Sequence, residues 1–283
     1  MSEAAATLTQ DRQRLELSAL SAPAVIFTVA MIAFPVVYTI WLGFQSFSST
    51  GKQSFAGLAN YSKLATDYEF WHGLWVTIAL YVLSLVLQLV FGVWLALVLF
   101  HAKRLPGIVR SMFISPFMMP PVVAGMMWLV ILDPSLGAAN YVLQFFGLPP
   151  SEWLASPTWV IPTIALIVLG GLQSLPPSVY EAAQIDGASA FKTFQRITLP
   201  LLLPTIVTAA ILRSVDLLRF FDIIYITTQG GPGNASNTLN IYGFRVGFEF
   251  FNIGYASALM LTLTAIVFGA VLAFNRLRGA VAW

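Results

Sequence analysis

Six long apolar segments constrain this chain more than any other feature of its sequence. They cover residues 20–44, 74–100, 109–132, 159–175, 199–221 and 255–274. A helix of about 20 apolar residues is long enough to cross the hydrocarbon core of a bilayer. The segments lack the alternating pattern of the shorter strands that build membrane β-barrels. The sequence therefore predicts an all-α, polytopic membrane protein with six transmembrane helices.

The small number of charged residues supports this assignment and excludes several classes of protein. Only 9% of the 283 residues are charged and 58% are hydrophobic, whereas about 25% of the residues in a typical soluble protein are charged. The net charge of +2 leaves no basic surface for nucleic acid. The absence of cysteine excludes disulfides and thiol chemistry. We expect one transmembrane domain over residues 1–283, which includes a short cytoplasmic N-terminal segment, 1–18, and a cytoplasmic loop, 176–199.

The distribution of lysine and arginine predicts the orientation of the six segments. Nine of the fourteen basic residues fall on one side of the predicted membrane, at Arg12, Arg14, Lys103, Arg104, Arg110, Lys192, Arg196, Arg276 and Arg278. The opposite loops contain three, which are Lys52, Lys63 and Arg245. Because cytoplasmic loops carry the excess of basic residues, both termini are predicted to be cytoplasmic.

The cytoplasmic loop 176–199 has the pattern of a short, preformed helical finger. Ser178 and Glu181 are spaced as a capping box, and Gly187 suits the C-terminal end of such a helix. The small side chains of Ala182 and Ala183 allow another protein to approach closely. The docking positions that we predict are Glu181, Ala182, Ala183, Asp186 and Gly187. From the residues alone, a solvated connector lying on the membrane is an equal alternative.

The fifth apolar segment carries charges at intervals of three residues. They are Arg213, Asp216, Arg219 and Asp222. Charge inside a span is costly and usually faces protein or water. One hypothesis is a self-neutralising ladder near the outer interface, since neighbouring members can pair along a helix. The other is that this helix face lines a central cavity, with Arg213, Asp216, Leu217 and Phe220 as substrate-path residues.

Two motifs in the chain resemble those of a known family. The sequence Glu181-Ala-Ala, followed by Gly187 and by Ile197-x-Leu199-Pro200, is similar to the EAA loop of bacterial ABC importer permeases. Tyr225-Ile-Thr-Thr-Gln-Gly-Gly-Pro resembles the sugar-uptake branch of that superfamily. Further matching positions are Pro35, Tyr38, Gly57, Asn60, Tyr61, Thr238, Tyr242 and Gly254. The resemblance covers nearly the whole chain and is strongest to permeases of the maltose/trehalose type, with glycerol-phosphate permeases as close relatives.

The resemblance implies a fold, a location and a set of partners. It implies the ABC importer type I permease fold in the bacterial plasma (inner) membrane. It implies a second permease subunit that shares the translocation path, and an extracellular or lipoprotein sugar-binding protein that delivers a di- or oligosaccharide. Two copies of an ABC ATPase would grip the coupling loop and bind ATP and magnesium. In this family the helix that carries Arg213 and Asp216 contributes to the sugar contacts.

The chain itself is predicted to be neither an enzyme nor a metalloprotein. No phosphate-binding loop of the type Gly-x-x-x-x-Gly-Lys-Ser/Thr occurs, so no cofactor is expected in this chain. His72 and His101 lie on opposite predicted sides without ligand spacing. The alternative function is a secondary ion-coupled transporter, which would need inverted repeats and an ion site.

The outer segment 229–240 is rich in glycine, asparagine and threonine, which is typical of a loop. Three hypotheses remain open for it. It contacts a substrate-delivery protein, it plugs the outer gate of the path, or it is a plain connector between the fifth and sixth apolar segments.

Overall fold

The computed structural model describes residues 2–47, 53–101, 120–170 and 199–281, and within them the chain is mostly helical. The helices are α1 (Ser2–Gly43), α2 (Ala59–Thr66), α3 (Tyr68–His101), α4 (Pro121–Ile131), α5 (Ala138–Phe145), α6 (Val160–Gly170), α7 (Leu199–Leu218), α8 (Asp222–Thr227), α9 (Leu239–Phe244) and α10 (Ile253–Val281). A 3-10 turn spans Trp153–Ala155 and a π-helical turn spans Arg245–Glu249. The strands β1 (Gln45–Phe47) and β2 (Gln53–Phe55) pair as an antiparallel hairpin.

Three of the described helices are long and apolar enough to cross a membrane. They include Leu20–Gly43 of α1, Tyr68–Trp94 of α3 and Ile253–Ala273 of α10. These match the first, second and sixth apolar segments of the sequence. The shorter apolar helix α4 covers the end of the third segment, and α6 covers most of the fourth.

The helix of the fifth segment is shorter than the sequence predicts. The helix α7 ends at Leu218, where the apolar pattern predicts helix to 221. The side-chain amide of Asn240, in α9, donates a hydrogen bond to the carbonyl oxygen of Leu218 at 3.3 Å. This bond satisfies one of the carbonyl groups that a helix leaves free at its end. The next helix, α8, then begins at Asp222.

Two apolar clusters hold the described helices together. The first joins α3, α6, α7, α8 and α9 through Val76, Leu80, Leu85, Val160, Ile164, Val168, Ala210, Leu217, Ile224 and Ile241. The second joins α2, α3, α9 and α10 through Leu64, Phe70, Leu239, Val246, Tyr255, Ala256, Ala258, Leu259 and Leu263. Since the largest of these side chains are fully buried, both clusters are close-packed cores that fix the helix positions.

The start of the hairpin is held by a side chain of α2 and by close packing against the beginning of α10. The amide nitrogen of Asn60 donates to the carbonyl oxygens of Gly43 and Gln45 at 2.9 and 2.8 Å. Gly254 packs directly under Gln45, where any Cβ atom would overlap the Gln45 carbonyl oxygen. The end of α1 is therefore held against α2 and α10.

Candidate functional site

The five predicted docking residues of the cytoplasmic loop lie outside the described part of the chain. Glu181, Ala182, Ala183, Asp186 and Gly187 all fall within 171–198. The described structure does give the helices on either side of this loop, since α6 ends at Gly170 and α7 begins at Leu199. The docking role of the loop stays a prediction.

The charged pair of the predicted substrate path is formed on α7. The Nη1 atom of Arg213 lies 3.6 Å from the Oδ2 atom of Asp216, and the two side chains are 24% and 59% exposed. This is the i, i+3 pairing that the sequence spacing predicts. Because both side chains retain an open side, the pair offers donors and an acceptor to the surroundings of α7.

The two apolar residues of the predicted path face the interior of the protein. Leu217 is buried in the first apolar cluster. Phe220 is half-buried and packs against both that cluster and a smaller one formed by Leu132, Ile167 and Ile223. The structure thus places Arg213 and Asp216 in more open surroundings than Leu217 and Phe220.

A small cavity lies beside these two apolar residues. It is lined by Thr77, Leu80, Ser84, Ile164, Val168, Leu217, Leu218, Phe220, Ile224 and Thr238. Its free space is of the order of a single water molecule. A sugar ring does not fit in this cavity.

The charge series does not continue as a ladder beyond its first pair. The segment between α7 and α8 is not helical, so Asp222 starts a new helix. Arg219 and Asp222 are exposed. In the part of the chain that the structure describes, the ion pairs are Arg213–Asp216 and Arg245–Glu249. Arg219 and Asp222 therefore do not form an ion pair like that of Arg213 and Asp216 in the described structure.

Gln88 is a site residue that the sequence reasoning missed. It lies on α3, is only 2% exposed, and its Oε1 atom accepts a hydrogen bond from the Nε atom of Arg213 at 3.1 Å. Its Nε2 atom donates to the carbonyl oxygen of Val168, in α6, at 3.3 Å. Its residue type could have indicated a special role, because Gln88 is the only amide side chain in the apolar segment 74–100.

The outer segment 229–240 folds back onto the beginning of α3. Ser236, Asn237 and Thr238 are buried, and the backbone N–H of Leu239 donates to the hydroxyl of Thr77 at 3.0 Å. The hydroxyls of Thr228 and Ser236 lie 2.7 Å apart and close the loop internally. The second half of the segment is thus part of the folded core.

The tip of the same segment is attached to α3 by Asn234. The amide nitrogen of Asn234 lies 3.2 and 3.4 Å from the two carboxylate oxygens of Glu69. The Nε2 atom of His72 lies 2.9 Å from the Asn234 carbonyl oxygen. Since a carbonyl only accepts, this histidine nitrogen carries the hydrogen. These contacts fix the loop tip over the beginning of α3.

Asp67 joins three segments at the corner between α2 and α3. Its carboxylate accepts hydrogen bonds from the hydroxyls of Tyr242, at 2.6 Å, and of Tyr255, and its Oδ1 atom accepts from the backbone N–H of Glu69. Partial burial alone would raise the pKa of Asp67. The hydroxyl and backbone donors outweigh burial and hold the pKa below its ordinary value. The carboxylate therefore stays charged and ties α9 and α10 to this corner.

Comparison with known proteins identifies what the chain is similar to. Residues 88–281 match the family model described as the inner membrane component of binding-protein-dependent transport systems. The trehalose/maltose transport system permease of Thermococcus litoralis is 34% identical over 245 residues, which cover 82% of each chain. The trehalose transport system permease of Mycobacterium tuberculosis H37Rv is 32% identical, over 93% of this chain and 88% of that protein.

A solved structure shows the same fold. It is a chain from a bacterial ABC transporter involved in the import of the acidic polysaccharide alginate. The TM-score is 0.78 at 23% identity, and the match covers 98% of this chain and 100% of the other.

Proposed function

Because the chain belongs to the family of inner membrane components of binding-protein-dependent transport systems, we propose that it is a permease subunit of an ATP-driven sugar importer. The observation that carries the proposal is the identity of 34% to a trehalose/maltose permease over 82% of both chains. A di- or oligosaccharide is the substrate class that this relationship favours. The permease domain spans residues 1–283.

Six transmembrane helices with both termini in the cytoplasm are the topology that this function requires. Three long apolar helices in the described residues support it. The positions of the nine basic residues on one predicted side support the orientation. The bacterial plasma membrane is the location that follows from the family.

Arg213 and Asp216 are the residues that we expect to contact the sugar. A guanidinium donates to hydroxyl oxygens and a carboxylate accepts from hydroxyl hydrogens, and the exposure of both groups supports such contacts. Leu217 and Phe220 support this contact from the interior of the protein. Their packing against α6 and α8 fixes the end of α7, which carries the charged pair.

The chain transmits conformational change and makes or breaks no bond. A second permease completes the path, and a binding protein outside the membrane delivers the sugar. Two ATPase copies, which hold ATP and magnesium, grip the segment Glu181–Gly187. Their closure on ATP favours the outward-open state over the inward-open one, because they bind the two states with different affinity.

Transport by the assembled complex tests the function. The permease pair, the ATPase and the binding protein are reconstituted in proteoliposomes, and uptake of trehalose, maltose and sn-glycerol 3-phosphate is measured with and without ATP. We expect uptake of a sugar that requires ATP and the binding protein and that persists with a protonophore. Uptake that continues without ATP and stops with the protonophore would indicate a secondary transporter.

The phosphorylated substrate in this panel tests the glycerol-phosphate alternative. An arginine is a good phosphate ligand, but Asp216 lies 3.6 Å from the Arg213 guanidinium and partly neutralises it. We therefore expect trehalose or maltose to be preferred over sn-glycerol 3-phosphate. The reverse preference would replace the sugar with a phosphorylated substrate.

A further inference from the structure

Gln88 connects three helices through one buried amide group. It lies in α3, and its two polar atoms reach Arg213 of α7 and the carbonyl oxygen of Val168 in α6. A polar group buried among apolar side chains is costly unless it is hydrogen-bonded. Both ends of this amide are bonded, so the side chain is held in one orientation.

The chemistry of the two neighbours determines which way the amide points. A guanidinium has only donors and a backbone carbonyl only accepts. The oxygen of Gln88 must therefore face Arg213, and its nitrogen must face Val168. Turning the amide over would place donor against donor and acceptor against acceptor.

This contact restrains the guanidinium of Arg213 on its inner edge. The Nε atom, which has a single hydrogen, is committed to Gln88 at 3.1 Å. The Nη1 atom is directed to Asp216 at 3.6 Å. These two contacts fix the orientation of the planar guanidinium group of Arg213. Its remaining N–H donors lie on the exposed side of the group.

We propose that Gln88 is a positioning residue for Arg213, which it holds with the outer edge of the guanidinium presented beside Asp216. The proposal rests on the proposed function, in which the Arg213–Asp216 pair contacts the transported sugar. Gln88 does not touch the sugar. Because Gln88 already restricts the conformations of the Arg213 side chain, less conformational entropy is lost when the sugar binds. The apparent affinity of the complex for its substrate is thereby increased.

Substitutions at Gln88 separate this role from simple helix packing. Gln88→Met keeps the length of the side chain and removes both hydrogen bonds. Gln88→Glu keeps the acceptor for Arg213 and removes the donor to Val168. Ser84→Ala is the matched control, because Ser84 is also 2% exposed and lies one turn earlier on α3.

The measurement is the KM and the maximal rate of ATP-driven uptake of trehalose and maltose by the complete reconstituted complex. We expect Gln88→Met to raise KM about tenfold, in line with a lost hydrogen bond to a charged group, and to change the maximal rate less than twofold. Gln88→Glu is expected to return KM to within about threefold of the original protein, and Ser84→Ala to leave it unchanged.

A double variant tests whether Gln88 acts through Arg213. Arg213→Ala alone raises KM, and adding Gln88→Met to it is expected to raise KM no further, because residues that act as a unit are not additive. Additive effects, or a KM unchanged in Gln88→Met while Arg213→Ala raises it, overturn the positioning role and leave the proposed function standing. If Gln88→Met does not assemble, a raised KM in Gln88→Glu equal to that of Arg213→Ala overturns it.

Failure of the proposed function gives a different result. In that case the unsubstituted complex shows no ATP-dependent uptake of either sugar, and the positioning role falls with it.

Discussion

Asp67 is a single acceptor on which α3, α9 and α10 converge. Its carboxylate binds the hydroxyls of Tyr242 and Tyr255 and the backbone N–H of Glu69. The Nζ atom of Lys63 lies 4.6 Å from the centre of the Tyr255 ring and adds a favourable cation–π contact. A charged acceptor strengthens each of these hydrogen bonds relative to a neutral one. The stability of the corner between α2 and α3 should therefore depend on the charge of the Asp67 side chain.

Asp67→Asn is expected to destabilise the purified complex at neutral pH. The amide keeps the shape but removes the charge, and it replaces one acceptor oxygen with an NH2 group that faces either the two hydroxyls or the Glu69 N–H. The expected loss is about 1–3 kcal/mol, which lowers the thermal midpoint by several degrees. Thermal unfolding followed by tryptophan fluorescence measures it. Glu152→Gln, at an exposed position, is the control, and an equal loss in both variants would contradict the special role of Asp67.

The same carboxylate predicts an acid-sensitive contribution to stability. Because its pKa is lower in the folded protein than in the unfolded chain, its contribution is fully present above the ordinary value of about 4. It is lost as pH falls through the depressed pKa. Between pH 5 and pH 3 the thermal midpoint should fall more steeply in the original protein than in Asp67→Asn. Parallel curves for the two proteins would show that Asp67 contributes nothing.

Asp216 and Asp222 should differ in their effect on substrate affinity. Asp216 is paired with Arg213, whereas Asp222 begins a separate helix. Asp216→Ala is expected to raise the KM of sugar uptake about tenfold, as for one lost charged hydrogen bond. Asp222→Ala removes only a favourable charge at a helix start, worth less than about 1 kcal/mol of stability. Equal and negligible changes in KM would show that Asp216 does not contact the sugar.

At the scale of helices and loops, the beginning of α10 is fitted closely against the hairpin. Gly254 lies under the carbonyl group of Gln45, and Asn60 binds that same carbonyl at 2.8 Å. Any side chain at position 254 must displace the backbone of the hairpin or the end of α10. The fit therefore depends on glycine for close approach and on nothing in its backbone dihedral angles.

Gly254→Ala is expected to lower the stability of the protein by about 1–3 kcal/mol, the usual cost of overpacking. Gly269→Ala is the matched control, because Gly269 lies on the same helix and a Cβ atom there meets no neighbour within 4 Å. That change should cause no loss, since alanine favours helix over glycine. The thermal midpoints of both variants measure the difference. Similar midpoints would mean that the hairpin moves away at little cost.

The apolar pattern of the sequence predicts the positions of the long helices better than their ends. The segment 74–100 lies within α3, but α3 begins earlier, at Tyr68. Hydropathy reports transfer into lipid, and Glu69 and His72 lower the hydropathy of the first turns of α3. The end of α7 at Leu218 was not predictable, because it depends on Asn240, a residue 22 positions away in the sequence.

In the candidate site, too, features set by local sequence spacing were predictable, whereas features set by residues distant in the sequence were not. The spacing of Arg213 and Asp216 on one helix is local, and their pairing was predicted and is confirmed. The contact of Gln88 with Arg213 joins residues 125 positions apart, so no local pattern reveals it. The burial of Leu217 and Phe220 likewise depends on α6 and α8 packing against α7.

At the scale of the whole molecule, α1 is the least buried of the three long apolar helices in the described residues. From Leu20 onward most of α1 is exposed, and its apolar side chains include Phe27, Phe34 and Val37. Its main contact is with α10. Such a helix is stable only when lipid or another apolar protein surface covers it. We therefore expect the permease to be less stable when it is purified alone than when it is part of its complex.

In the proposed function, the loop between α6 and α7 receives the movement of the ATPase. These helices lie on either side of residues 171–198, and Gln88 attaches both to α3, directly at Val168 and Arg213. A movement of the loop, driven by the ATPase, would thus reach helices that are tied to the proposed sugar contacts. This transmission requires mechanical continuity from the loop to α7, and Glu181 is the residue at which we predict that the ATPase acts.

Glu181→Lys is therefore expected to weaken ATPase association at least about tenfold and to abolish ATP-driven uptake, because it reverses a charge at the predicted docking helix. Insertion of the permease into the membrane should be unchanged. Glu152→Lys is the matched control, since it makes the same chemical change at an exposed position in a loop that is predicted to lie on the opposite side of the membrane, and it should leave both association and uptake intact. Co-purification of the ATPase and uptake of trehalose or maltose are measured together. Full uptake by Glu181→Lys would show that force enters the permease elsewhere.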